Sequence, residues 1–233
     1  MPKIFFNLNL NATRGGIKSV DDVAFKRAEA AKHVKLFLAP KDSGRGFSDS
    51  EIPEELVSEG MVNRFLEIDP PVFRVIAEYD VIFNEIERTY VLGSFFSALS
   101  AAVVTIERIL NTARIELHPY VTPKFKELWE KGPTNEWRPN IRALVKWGYL
   151  SPALANELNA LYEVRCKYLH TGNLEMLPAD SKRAVHAAYD LSKEIFGFPP
   201  KLFTLADGGL NCLNWNDPLV QVFYRPHITI QEE

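Results

Sequence analysis

The chain has little of what disulfide, metal and membrane proteins are built from. It holds two cysteines, Cys166 and Cys212, too few for a zinc site or a disulfide framework. Free thiols in a reducing compartment are the expectation. His118 and His186 have no partner at ligand spacing, so neither a metal nor a cofactor is predicted. No apolar run reaches the roughly 20 residues that a membrane span needs. The longest weakly charged stretch, 89–106, is broken up by Tyr90, Gly93, Ser94, Ser97, Ser100 and Thr105. The first residues lack the apolar run of a signal peptide. A soluble, cytoplasmic protein with no membrane partner is expected. Excess positive charge is also missing: 27 Lys and Arg stand against 30 Asp and Glu, leaving a net charge of −3. Any grip on nucleic acid would therefore need a local basic patch. With 12 Gly and 15 Pro among 233 residues, and no internal repeat, low-complexity and fibrous classes are excluded.

What remains is ordinary globular usage, 46% apolar and 24% charged. The length suits one large domain or two small ones. Three blocks are predicted. Residues 1–60 form an N-terminal α/β segment. There Phe6, Leu8 and Leu10 alternate with Asn7, Asn9 and Asn11 as a half-buried strand does. A helix capped by Asp21 or Asp22 runs to about His33, and Val34 to Leu38 reads as a second short strand.

Residues 61–198 read as helical, with segments at about 72–88, 89–117, 124–130, 139–147, 152–170 and 178–196. The boundary signals are Pro70 and Pro71, His118-Pro119, Gly148, Ser151-Pro152, Pro178 and Gly197. Residues 199–233 form a β-rich segment, with strands at 201–205, 219–224 and 227–230. The predicted fold is mainly α: a helical bundle carrying a small β element built from the N- and C-terminal segments.

One helix carries most of the chemical information. Leu154, Leu158, Leu161, Arg165 and Tyr168 follow one another at spacings of 4, 3, 4 and 3, so Arg165 falls within an apolar stripe. A guanidinium there needs a partner. Two readings stand side by side. Arg165 pairs with a carboxylate such as Glu107 on the long preceding helix, or it faces a groove or subunit interface and meets phosphate. His170 closes the same helix, about 140° around and about 7.5 Å further along. Lys167, Arg138, Arg142 and Lys146 supply either a basic patch or ordinary solvated charge. Trp129, Trp137, Trp147 and Trp215 read as core or interface anchors.

The stretch Leu161-Tyr162-Glu163-Val164-Arg165-Cys166-Lys167-Tyr168-Leu169-His170-Thr171-Gly172-Asn173 resembles the signature of the HEPN superfamily. In that family an Arg is followed, four to six residues later, by a His near the end of a helix. The preceding helix, Ser97 to Leu110, is similar to the long early helix of such domains. The resemblance covers about residues 85–197. It implies a HEPN-like helical bundle and metal-independent RNA cleavage by attack of the ribose 2′-OH on the adjacent phosphate. It implies Arg165 and His170 as the catalytic pair, with Lys167, Asn173 and Arg142 toward substrate and Glu107 and Cys166 in support. It also implies a homodimer that joins two copies of the motif. A toxin or anti-phage effector, with an antitoxin or defence partner protein, fits the same resemblance. Cys166 departs from the pattern, because members that cut RNA often carry Asn, Asp or His directly after the Arg. A non-catalytic HEPN-like binding or scaffold module is the alternative.

Overall fold

A computed structural model describes residues 3–6, 9–10, 22–39, 52–71, 73–74, 77–121, 133, 136–170, 174–197, 202–206, 209–224 and 228–231. The chain is mainly helical. Its helices are α1 (Val23–Leu38), α2 (Glu59–Ile68), α3 (Ala77–Val91), α4 (Phe95–Val121), α5 (Trp137–Lys146), α6 (Pro152–His170) and α7 (Leu177–Phe196). The strands are β1 (Lys3–Phe6), β2 (Asn9–Leu10), β3 (Phe73–Arg74), β4 (Phe203–Ala206), β5 (Gly209–Cys212) and β6 (Ile228–Gln231). They pair two by two, all antiparallel. β1 lies on β6 with Ile4 opposite Ile230, β2 on β3, and β4 on β5. The chain ends thus meet in one ladder, the small β element expected from the sequence.

α4 is the axis of the bundle. Its 27 residues span roughly 40 Å. Leu99, Val103, Ile106, Ile109, Leu110, Ala113 and Leu117 are buried along it. Its most extensive partner among the described elements is α7, followed by α3. α7 offers Ala184, Val185, Ala188, Leu191 and Ile195, all buried, and its alanines let the two helices approach closely. One cluster of buried side chains takes in Ala30 and Val34 of α1, the bundle, and Leu202, Phe203 and Tyr224 near the C-terminus. Among the described residues no helix is long and apolar enough to cross a membrane.

The helix ends follow local chemistry. Asp22 accepts hydrogen bonds from the N–H groups of Ala24 and Phe25 and so starts α1. α3 ends at Gly93, whose φ of +83° lets Ser94 N–H reach back to the Thr89 carbonyl at 2.8 Å. Gly148, φ +78°, does the same for α5, with Tyr149 N–H donating to the Leu144 carbonyl at 2.9 Å. Ser151 ties two helices together. Its hydroxyl oxygen accepts from Leu154 N–H at 3.2 Å, while its own N–H and hydroxyl donate to Glu194 of α7 at 2.7 and 2.5 Å.

Several expected boundaries move. Val34 to Leu38 is the second half of α1 and not a strand. Burial of Ala30, His33 and Val34 continues one helical stripe, with the His33 ring stacked on Phe65 of α2 at 5.1 Å. The helix stops at Ala39, directly before Pro40. Phe73 and Arg74, expected in a helix, pair with β2. The break between α3 and α4 falls at residues 92–94, after the expected 88, because Gly93 supplies the left-handed turn.

Pro119 does not end the long helix but lies inside its last turn. The single helical bond it removes lies where Pro119 and Tyr120 are already exposed. Residues 220–224 are a π-helix, Val220–Tyr224, and not a strand. Asp217 starts this turn by accepting from Leu219 N–H at 2.9 Å. Burial then recurs at Leu219, Val220, Phe223 and Tyr224, a helical spacing that packs Phe223 on Phe196. The helix expected at 124–130 lies outside the described residues.

A Cβ placed on Gly148 would meet no atom within 4 Å, so the only cost of a side chain there is backbone strain at positive φ. Gly148→Ala should lower unfolding stability by about 1–2 kcal/mol in urea titration, and Gly148→Asn should lose less, since Asn tolerates that conformation.

Candidate functional site

α6 buries Leu154, Leu158, Leu161 and Tyr168 as its sequence predicts. Arg165 sits at the edge of that stripe and not at its buried centre: its side chain is 27% exposed. This position lets the guanidinium reach α4, where Nη1 donates to Glu107 Oε2 at 3.0 Å. The same oxygen accepts from the indole N–H of Trp137 at 3.3 Å. Trp137 opens α5, is fully buried, and meets the ring of Tyr162 edge-on at 5.8 Å. A single carboxylate therefore joins three helices: α4 carries the acid, and α5 and α6 each send one donor.

Glu107 also begins a polar stripe that sequence reasoning missed. Glu107, Asn111, Arg114 and His118 recur at spacings of 4, 3 and 4, so they share one face of α4. Asn111 Nδ2 donates to the Glu107 carbonyl at 3.0 Å. Asn140 of α5 donates from Nδ2 to Asn111 Oδ1 at 3.1 Å and accepts from Arg114 Nε at 2.5 Å. Asn140 is fully buried and Arg114 is 2% exposed. Further along, buried His118 has its ring centroid 6.1 Å from that of Trp147, just past the end of α5. These contacts run α4 and α5 side by side in the same direction. The signal in the sequence is the seam spacing of polar residues 107, 111, 114 and 118, which no apolar periodicity reveals.

The electrostatics follow from burial. Loss of water lowers the Arg114 pKa. For His118, desolvation comes first and the nearby Arg114 charge second, and both push its pKa below the ordinary 6.5. Tyr168 moves the other way, to about 12, through burial and then its 2.7 Å hydrogen bond to Asp180.

The remaining expected residues are placed as follows. His170 is the last residue of α6, but its side chain, like all of Asn173, lies outside the described residues. Lys167 is exposed, its ammonium 5.3 Å from the centroid of the Tyr168 ring. Arg142 is exposed on α5, and Cys166 is a half-buried free thiol beside Arg165. The structure thus brings Arg165, Glu107 and Trp137 together. Among the described residues no cluster of His, Cys, Asp or Glu is arranged to hold a metal.

A cleft of about 780 Å³ opens at the other end of α6, lined in part by Tyr149, Pro152, Glu157, Asp190 and Glu194. Two of its carboxylates are already engaged, Glu194 by Ser151 and Glu157 by Arg183. It is separate from the Arg165 site.

No protein-family model, curated protein or solved structure matches this chain.

Two outcomes follow from the stripe. Asn140→Ala removes the partner of both Asn111 and Arg114 and should cost about 1–3 kcal/mol in chemical denaturation. Burial and the Arg114 charge lower the His118 pKa in the folded state, so the unfolded chain binds its proton more readily. That contribution to stability is complete above about pH 6.5, the unfolded value, and is lost as pH falls through the depressed folded value. Urea titrations at a series of pH values should show that loss in the parent and a flatter profile in His118→Gln.

Proposed function

We propose that this protein is a HEPN-like, metal-independent endoribonuclease with Arg165 and His170 as its reacting pair. The observation that carries the reading is Arg165 itself, a guanidinium oriented by Glu107 and yet 27% exposed at the edge of a helical bundle. It stands five residues before the end of the helix, which His170 closes. A planar fork of donors suits the oxygens of a phosphate. In the reaction the ribose 2′-oxygen attacks phosphorus, the bond from phosphorus to the 5′-oxygen breaks, and a cyclic phosphate and a free 5′-OH result. Arg165 offsets the charge building on the phosphate oxygens. His170 takes the 2′ proton or protonates the leaving oxygen, a role that suits an imidazole.

On this reading two copies of the chain meet as a homodimer in the cytoplasm, with Lys167, Arg142 and Asn173 toward the RNA. The biological role is that of a toxin or anti-phage effector held by an antitoxin or defence partner.

The second reading is a HEPN-like binding or scaffold module without catalysis. Two observations favour it. Glu107 neutralises Arg165 at 3.0 Å, and Cys166 occupies the position after the Arg where members that cut RNA often carry Asn, Asp or His.

Single-stranded RNA incubated with the pure protein in excess chelator separates the two. The endoribonuclease should cut it, leaving cyclic-phosphate ends, and Arg165→Ala and His170→Ala should each slow cutting by about 100-fold or more. Intact RNA with the folded parent protein would leave the binding module.

A further inference from the structure

α5 is a ten-residue helix, Trp-Arg-Pro-Asn-Ile-Arg-Ala-Leu-Val-Lys, that contains three basic side chains and no acidic one, in a chain whose net charge is −3. Its faces are sharply divided. Trp137, Asn140, Ile141, Ala143 and Leu144 are buried, whereas Arg138, Arg142 and Lys146 are exposed. The exposed residues recur every four positions, so they stand on one line at steps of about 6 Å and span about 12 Å. The line is firmly backed, since the inner face is tied to α4 through Asn140 and Trp137. One end meets α6. Arg138 Nη2 donates to Glu163 at 2.5 Å and its guanidinium lies 5.9 Å from the centroid of the Tyr162 ring, one turn before Arg165, while neighbouring Trp137 shares the Glu107 oxygen with Arg165.

We propose that Arg138, Arg142 and Lys146 form a track for the sugar–phosphate backbone of single-stranded RNA, leading toward Arg165. The choice of RNA as the polyanion rests on the reading in the preceding section. The track itself rests on the helix. A single-sign charge repeated at about 6 Å along one inclined ridge of the helix matches a backbone with one phosphate per nucleotide step. A protein partner would need an apolar anchor at the centre of the contact, and the apolar residues of α5 face inward. One line of three cations touches one strand, which favours a single strand over a duplex. Among the described residues, the acids at the Arg138 end of the line are Glu163, paired with Arg138, and Glu136, exposed at the start of α5. Arg138 and Glu163 are 64% and 62% exposed, and an ion pair so open to water is weak enough for a phosphate to displace.

The test uses the full chain and a fluorescent 2′-O-methyl oligouridine, which cannot undergo attack by a 2′-OH, so binding is read apart from cutting. Arg142→Glu combined with Lys146→Glu should weaken binding by about tenfold or more. Each phosphate contact removed should make the slope of log affinity against log salt shallower by about 0.7. Glu163→Gln should bind more tightly than the parent. Lys32→Glu, the same charge change per site at an exposed position of α1, should have little effect. The track is overturned if the parent does not bind, if Lys32→Glu weakens binding as much per charge, or if a duplex or polyglutamate competes as well as the single strand. Binding as expected with no cutting of unmodified RNA would overturn the nuclease and leave the track standing. Cutting that is unchanged in the double variant would overturn the track and leave the nuclease standing.

Discussion

The carboxylate of Glu107 is the point at which three helices agree on their positions. α4 supplies the acid, α5 brings the indole N–H of Trp137, and α6 brings the guanidinium of Arg165, all onto one oxygen within 3.3 Å. Apolar packing alone tolerates sliding of one helix along another, because it is roughly proportional to area and indifferent to direction. A carboxylate with two donors is directional. If α5 or α6 slid by one turn, a buried indole N–H or a half-buried guanidinium would lose its partner. The stripe that continues through Asn111, Arg114 and Asn140 repeats the constraint further along α4. A polar network of this kind raises the cost of every alternative packing. Its net contribution to stability is small beside its effect on register.

That constraint also shapes what Arg165 can do. A guanidinium in the middle of the Leu154–Leu158–Leu161 stripe would be dry and fully committed. The structure instead puts it at the rim, where Glu107 takes one side and water reaches part of the rest. Glu107 both orients the cation and reduces its field. The endoribonuclease and the binding-module readings differ in which of these two effects prevails when phosphate arrives. The outer face of α5 adds positive charge beside this pair without an intervening acid on the same helix.

Helix boundaries with local causes were legible before the structure. Ser151-Pro152, Gly148, Pro178 and Gly197 each act through their own backbone or that of the next turn, so the residue types suffice to place them. Elements decided by what they pack against were not legible. Val34 to Leu38 and Leu219 to Tyr224 are short apolar runs whose strand and helix patterns are alike at that length. The first joins α1 because Phe65 of α2 lies beneath it, and the second coils because Phe196 and Phe203 receive its rings. Pro119 was overestimated as a stop: in a last turn open to water it removes one bond and ends nothing.

At the site the division is similar. The sequence by itself determined that Arg165 could not sit unpartnered on a leucine stripe, and it singled out Glu107 as an acid able to meet it. It also determined a mainly helical chain with short strands toward both ends, because periodicity and end signals are local; the pairing of β1 with β6 was decided by the fold. Only the tertiary structure decided that Trp137 shares the acid, that Asn140 and Arg114 continue the polar line, and that the basic residues of α5 all face outward. Those facts depend on which helix lies against which and in what direction, and nothing in a chain written residue by residue specifies them until the helices are packed.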